Sequence, residues 1–376
     1  MNKILFSTTS FDTIDNGPAL FANLIYNELL ENESIDFRVI TENLNAKLEK
    51  RAGIYRLNLN QTKLNSFFYQ FIRIFIYHKE AKRIQNNFNY NVLVYNNAFT
   101  GYLSALNFKK PVIVMINDYN RIDLINRGFG FNKNYFKNLL LFYLEKKAAL
   151  NADRVIVNSK FLKDQIHKMY NIPLSKIKIL YKGIKISNYK FKLREHYGDL
   201  IHVLFVKGGY QNGGFYDLIE ALKLLGVSKF KLTVIGPREI DLPIIKKEVI
   251  NMGIENFEIK GSTHPDDLKK YFNSADIFCV PSHKEALGVA NMEALASGLP
   301  VISTNVGGIP EVLDYGNCGW MVEPNNSNAL AKAIKECIQN DELRINKSKL
   351  GYQHVQQFNT DNLIDNFLNI LKEVKS

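Results

Sequence analysis

Short apolar runs that recur along the chain, each followed by a longer amphipathic stretch, constrain this sequence more than any other feature. Residues 1–8, 37–40, 92–95, 111–116, 155–157 and 177–181 read as strands, with helical stretches such as 19–30 and 139–150 between them. Alternation of this kind implies a parallel sheet covered by helices on both faces. The rhythm restarts at 202–206 and continues through 231–235, 257–259, 276–280 and 301–303, with helices at 215–225, 265–273, 289–297 and 328–339. Two doubly wound α/β domains follow, 1–186 and 187–359, joined near 183–193. The 376 residues, 46% of them hydrophobic, suffice for two buried cores. A last amphipathic stretch, 361–374, sets Leu363, Ile364, Phe367, Leu368, Leu371 and Val374 on one stripe.

Several function classes drop out early. Residues 1–8 lack a small-residue cleavage pattern and read as a first strand rather than a signal peptide. No apolar run reaches the roughly 18–20 residues that span a bilayer. Cys279, Cys318 and Cys337 form no C-x-x-C pair, and the seven histidines form no H-x-x-x-H pair, so neither a disulfide framework nor a metal centre is expected. The cytoplasm is the expected compartment. Charge is unevenly spread: residues 1–190 hold 28 Lys and Arg against 14 Asp and Glu, whereas 191–376 hold 20 against 23. An anionic partner of the first half is one explanation and a basic composition bias is the other.

The densest chemical signal runs from Ala275 to Pro324. It comprises Pro281-Ser282, Glu285-Ala286-Leu287-Gly288, Glu293-Ala294, Gly298-Leu299-Pro300-Val301 and Gly307-Gly308-Ile309-Pro310-Glu311. A strand ends at Val280 and a helix opens near Gly288, so unpaired N–H groups point back at the intervening loop and form an anion site. Glu285 and Glu293 bracket that site. Carboxylates beside a phosphate repel it unless they face another part of the ligand, and sugar hydroxyls are groups a carboxylate can accept.

These residues resemble the retaining glycosyltransferases of family 4, in which Glu285 and Glu293 match the E-x7-E motif within a P-S-x-x-E-x-x-G…E-A-x-x-x-G-x-P-V context. Ala152-Asp153-Arg154-Val155-Ile156-Val157-Asn158-Ser159 and Asp217-Leu218-Ile219-Glu220-Ala221-Leu222 extend the likeness. The resemblance implies a GT-B fold, two Rossmann-like domains facing across a cleft, with helix 360–376 packing back on the first. It gives Glu285 the donor sugar hydroxyls, Glu293 the ribose, and the amides of Ala286, Leu287, Gly288 and Val289 the diphosphate.

Three departures qualify it. Where the family has an Arg and a Lys about six residues apart to neutralise the diphosphate, this chain has Lys207 and Gly213 in Lys207-Gly208-Gly209-Tyr210-Gln211-Asn212-Gly213. Either Gly208, Gly213 and their neighbours form a backbone anion nest, or they are a flexible turn. Asn117 replaces a histidine that touches donor sugar and phosphate; it hydrogen-bonds without titrating, or simply ends a strand. Gly17, in Asp15-Asn16-Gly17-Pro18, holds the place of the family's glycine-rich loop near diphosphate and acceptor.

The resemblance thus implies transfer of a sugar from a UDP- or GDP-sugar to a glycan or lipid-linked acceptor hydroxyl, with retention and without a metal or other cofactor. Cell-surface polysaccharide, lipopolysaccharide or glycolipid assembly is the setting. A nucleotide-sugar-binding partner subunit with weak catalysis is the alternative, and a donor-epimerising isomerase lacks the cleft acids and histidines it needs. Basic, aromatic stretches at 63–79 and 127–137 suit either an anionic membrane surface or a core with a solvated rim. No nucleic-acid recognition motif accompanies the charge.

Overall fold

The computed structural model describes residues 2–11, 17–42, 53–57, 59, 67–126 and 133–374. They fall into two compact units: residues 1–181 with 364–376, and residues 182–363. Parts of the two basic, aromatic stretches, 63–66 and 127–132, lie outside the described residues.

Unit 1 contains strands β1 (Asn2–Thr8), β2 (Ile35–Thr41), β3 (Ile54–Arg56), β4 (Val92–Tyr95), β5 (Val112–Ile116), β6 (Arg154–Val157) and β7 (Ile177–Ile179). Its helices are α1 (Gly17–Leu30), α2 (Phe67–Phe88), α3 (Tyr102–Asn107), α4 (Asn120–Asn126), α5 (Lys133–Asn151) and α6 (Lys160–Tyr170). The strands form one parallel sheet in the order β3-β2-β1-β4-β5-β6-β7. Right-handed crossovers put α2, α3 and α5 on one face, because the chain moves rightward through β4, β5 and β6 after its excursion to β3.

Unit 2 contains β8 (Ile201–Val206), β9 (Phe230–Ile235), β10 (Asn256–Lys260), β11 (Ile277–Val280), β12 (Val301–Thr304) and β13 (Trp320–Val322). Its helices are α7 (Phe215–Leu225), α8 (Leu242–Asn251), α9 (Pro265–Ser274), α10 (Val289–Ala296), α11 (Ile309–Val312), α12 (Ser327–Gln339) and α13 (Asp341–Val355). The sheet is parallel, ordered β10-β9-β8-β11-β12-β13. Both sheets reverse strand order beside their first strand, at β1/β4 and β8/β11. At such a point the neighbouring crossovers leave on opposite faces and open a crevice at the strand ends.

The division falls at Tyr181/Lys182, earlier than the expected 186/187, and hydrogen bonding explains the shift. Ile184 donates to the Phe358 carbonyl at 2.9 Å and accepts from the Thr360 amide at 3.1 Å. The last helix, α14 (Thr360–Glu373), is correspondingly shared: residues from Ile364 onward count with unit 1, rather than the whole of 360–376. Residues 182–200 are strapped to unit 2 by two buried arginines. Arg194 donates to the carbonyls of Phe272, Asn273, Ala275 and Ser297. Arg344, 1% exposed, donates to those of Arg194, Glu195 and Cys337 and lies over the Tyr197 ring. A guanidinium has five donors in a fixed fork, so one side chain satisfies several carbonyls that would otherwise be buried unpaired.

Arg344→Met keeps the apolar volume and removes those donors. It is expected to lower the stability of unit 2 by at least about 2 kcal/mol, read by denaturant unfolding of the full chain. An unchanged midpoint would show that water replaces the arginine at no cost.

Candidate functional site

Polar side chains of unit 2 collect where its strand order reverses. Lys207 follows β8 directly, and the loop from Pro281 to Gly288 follows β11. That loop is tied down on two sides. The His283 amide donates to the Asn212 carbonyl at 2.8 Å, and the His283 ring nitrogen Nε2 lies 2.6 Å from Asp217 Oδ2 on α7. On the other side Thr304 Oγ1 donates to the Ser282 carbonyl at 2.5 Å. Gly307 has φ +59°, and a Cβ there would lie 1.6 Å from the Glu285 carbonyl oxygen, so only glycine lets that backbone support the loop.

Glu285 occupies the centre. Lys207 Nζ donates to its Oε2, and the Ala286 amide donates to its Oε1 at 3.0 Å. Burial would raise this carboxyl; the Lys207 ammonium and the amides of Ala286 and Leu287 outweigh burial and hold it below the ordinary glutamate value. Two of the amides expected to meet a diphosphate, those of Ala286 and Leu287, already meet Glu285. Gly288, with φ +97°, caps α10, whose first residue is Val289.

The second glutamate sits in the body of α10, and its environment is the opposite. Glu293 Oε1 accepts from Tyr189 Oη at 2.6 Å. Burial pushes its carboxyl up to about 7, only partly opposed by the Tyr189 hydrogen bond and the charge of Lys269. Burial and the same carboxylate hold the Tyr189 phenol above its usual range, so the phenol remains the donor. Tyr189 lies 104 positions before Glu293, on the strap, and no spacing rule could have found it.

The glycine-rich segment differs from the nest reading. The amides of Gly213, Gly214 and Phe215 donate inward to the carbonyls of Gly209, Gln211 and Tyr210, which closes a tight turn before α7 and removes those N–H groups from any ligand. At Gly213 a Cβ would lie 2.7 Å from Lys207 Cγ and 2.8 Å from Phe205 Cζ. The Lys207 stem and the Phe205 ring thus pack directly over position 213. Gly208 has no such crowding, with its closest neighbour, the Gly236 carbonyl oxygen, at 3.4 Å.

Asn117 and Gly17 belong to unit 1, at the C-terminal side of its sheet. The strand ends there carry a ladder of side-chain amides. Asn158 Nδ2 donates to the Asn117 carbonyl at 3.0 Å, and Asn117 Nδ2 to the Asn96 carbonyl at 2.7 Å. Asn96 Nδ2 donates in turn to Thr8 Oγ1 and to the Pro18 carbonyl. Asn117 Nδ2 is therefore engaged within the chain. Beside it a cavity of about 50 Å³ is lined by Pro18, Asn96, Phe99, Asn117, Asp118 and Arg121. Arg121 is paired with buried Glu145, which also accepts from Tyr170 Oη at 2.6 Å. Gly17 starts α1 and is exposed, while 12–16 lie outside the described residues.

Elsewhere, ligand atoms of Asp314, Cys318 and His354 come within 4.8 Å of one another. Lys347, held by the carbonyls of Gly316 and Gly319, supplies positive charge to that corner, and His354 Nε2 lies 3.0 Å from the Glu311 carbonyl oxygen. All three cysteines are buried free thiols.

Comparison with known proteins adds to this geometry. The model of Glycosyltransferase Family 4 matches residues 25–188, and that of Glycosyl transferases group 1 matches residues 185–354. An uncharacterized glycosyltransferase of Methanocaldococcus jannaschii, MJ1178, is 28% identical over 232 residues, 62% of this chain and 63% of its own length. The capsular polysaccharide biosynthesis glycosyltransferase CapM of Staphylococcus aureus is 27% identical over 297 residues, 75% of this chain and 74% of its own. The crystal structure of Anabaena Alr3699/HepE in complex with UDP-glucose superimposes with a TM-score of 0.78 at 18% identity and covers 99% of each chain.

Two outcomes follow from the geometry. A carboxyl raised from about 4.5 to about 7 on folding makes the folded state bind more protons than the unfolded state between those values. Its contribution to stability is therefore present at low pH and lost as pH rises through 7. Glu293→Gln should be more stable than the unaltered protein by about 1–3 kcal/mol at pH 8 and no more stable at pH 4.5, read by thermal melts at the two values. Gly307→Ala should displace the Glu285 loop and lower the melting temperature at both.

Proposed function

This chain is a glycosyltransferase of the GT-B fold, belonging to the family that the two models describe across residues 25–354, and on that premise we propose that it is a retaining enzyme using a nucleotide diphosphate sugar. In this reading the donor is a UDP- or GDP-sugar and the acceptor is a hydroxyl of a glycan or lipid-linked glycan, in assembly of a cell-surface polysaccharide, lipopolysaccharide or glycolipid. The names of CapM and of the UDP-glucose-bound neighbour agree with it.

The observation that carries the proposal is the cation-and-amide cluster around Glu285 at the reversal of strand order. As the bond from anomeric carbon to phosphate oxygen breaks, its electron pair goes to that oxygen and the sugar becomes oxocarbenium-like. Lys207 and the amides from Ala286 to Val289 stabilise the growing phosphate charge, assisted at the backbone by Gly208. When phosphate takes those donors, the Glu285 carboxylate is freed to accept the sugar hydroxyls. Glu293 takes the ribose hydroxyls in exchange for the Tyr189 phenol. The acceptor oxygen attacks from the face the phosphate leaves, and its proton passes to the leaving phosphate oxygen, so no side-chain base is needed. In this scheme Lys207 and backbone amides neutralise the diphosphate, and no metal is required.

Glu293→Ala should weaken donor binding roughly 10- to 100-fold in a titration of UDP-, GDP- and ADP-sugars. Binding and turnover equal to those of the unaltered protein would remove Glu293 from the site. Product formation, followed by mass on a mixed acceptor panel, should persist in excess chelator. Loss of turnover on chelation, restored by a divalent metal, would overturn the metal-free mechanism. The crowding at Gly213 gives one specific ground for a second reading, a donor-binding partner subunit; donor binding without product on any acceptor would favour it.

A further inference from the structure

Beside Lys207 and Glu285, unit 2 holds another ionic pair that the transfer scheme leaves without a task. His283 lies two residues before Glu285 in the loop after β11, and its ring Nε2 is 2.6 Å from Oδ2 of Asp217, in the first turn of α7. A carboxylate can only accept, so the ring nitrogen facing it carries the proton and donates. The two side chains are 30% and 17% exposed, which shields their contact from much of the solvent. The pair completes a contact that the backbone begins. The His283 amide donates to the Asn212 carbonyl, and Gly214, with φ +74°, lies so close to the loop that a Cβ there would be 2.0 Å from the Pro281 carbonyl oxygen. The 281–288 loop, the 207–214 turn and the start of α7 are thus packed as one cluster, with Glu285 on one side of it and Lys207 on the other.

In the structure the Glu285 carboxylate is aimed by Lys207 Nζ and by the Ala286 amide. Both donors are groups that the proposed reaction hands to phosphate. The carboxylate therefore gives up its own partners at the step in which it has to meet the sugar. Contacts for which phosphate does not compete must then hold the loop. Gly307 supports the Glu285 carbonyl from below, and His283 fixes the chain on the side that precedes Glu285.

We propose that His283 and Asp217 are a positioning pair for recognition of the donor sugar: the imidazole, latched to α7, keeps Glu285 aimed at the sugar hydroxyls after Lys207 has turned to the diphosphate. The inference rests on the role proposed above for Glu285, and both residues act through Glu285 rather than on the substrate. Displacement of a recognition group by about 1 Å is enough to cost up to about 100-fold. The amides that follow Glu285 lead into α10 and Lys207 follows β8, so each has its own support. Loosening the latch is therefore felt at the sugar far more than at the diphosphate.

Ligands with and without the sugar separate those contacts. The full chain is titrated by calorimetry with UDP and UDP-glucose, and with GDP and GDP-mannose. His283→Ala should weaken the nucleotide sugar about 10- to 100-fold and the nucleoside diphosphate less than about twofold. Asp217→Asn should do the same, and the double variant should be no worse than either single one, because both act through one contact. His283→Gln, whose amide nitrogen takes the place of Nε2, should restore binding of the sugar. The melting temperature should fall by no more than about 4 °C, the scale of a partly exposed ion pair. A pair that merely stabilises the fold gives another pattern: nucleotide and nucleotide sugar weaken together, in step with a larger fall in melting temperature. That pattern overturns the proposal, as does a His283→Ala variant that binds every ligand like the unaltered protein. If the unaltered protein binds none of the four ligands, or if Glu285→Ala binds the nucleotide sugar undiminished, the reading of the site itself fails and the positioning role falls with it.

Discussion

Parallel strands cannot be joined by a tight turn; each needs a crossover, and so every strand of a parallel sheet delivers its last residue to the same edge. That constraint organises both halves of this protein. In unit 2 it puts Lys207 and the 281–288 loop side by side although they are separated by more than 70 positions in the chain. In unit 1 it aligns Thr8, Asn96, Asn117 and Asn158 at successive strand ends, where their amides bond across the sheet edge. The apolar interior needs only that the strands be buried; the polar edge comes from the same topology at no further structural cost.

The two glutamates show how one helix start can create two chemistries. Glu285, outside the helix, faces a lysine and free amide donors and is held ionised. Glu293, inside it, meets a phenol and little else, and burial makes ionisation unfavourable near neutrality. Like groups whose surroundings push them apart are what a candidate working site is recognised by, although structural ion pairs shift carboxyls as well. Both carboxylates are satisfied within the chain by groups that a ligand can replace: an ammonium and amides for one, a hydroxyl for the other.

Much of this was legible in the sequence. Eleven of the thirteen strands appear as apolar runs, with ends displaced by one or two residues, as at Ile201 and Phe230; the three-residue edge strands β3 and β13 are too short to stand out. Glu285, Glu293 and the helix start at Val289 were legible because strand, loop and helix are contiguous there. Tyr189 was not, since its contact is made by a strap whose course depends on two buried arginines. The inner and outer faces of α2 were merged into a single basic, aromatic stretch, because apolar residues on both sides blur the helical period. The turn at 207–214 reads in sequence as either an anion nest or a flexible turn, and only its internal hydrogen bonds reveal a closed structure.

The crowding at position 213 also bears on how this lineage can change. A side chain placed there meets the stem of Lys207 and the Phe205 ring, so the two positions are coupled: a residue at 213 needs the Lys207 side chain to shift. Shortening 207 first removes the cation now bonded to Glu285. A substitution at 213 is therefore felt first at the contact between Lys207 and Glu285, across more than 70 positions of sequence.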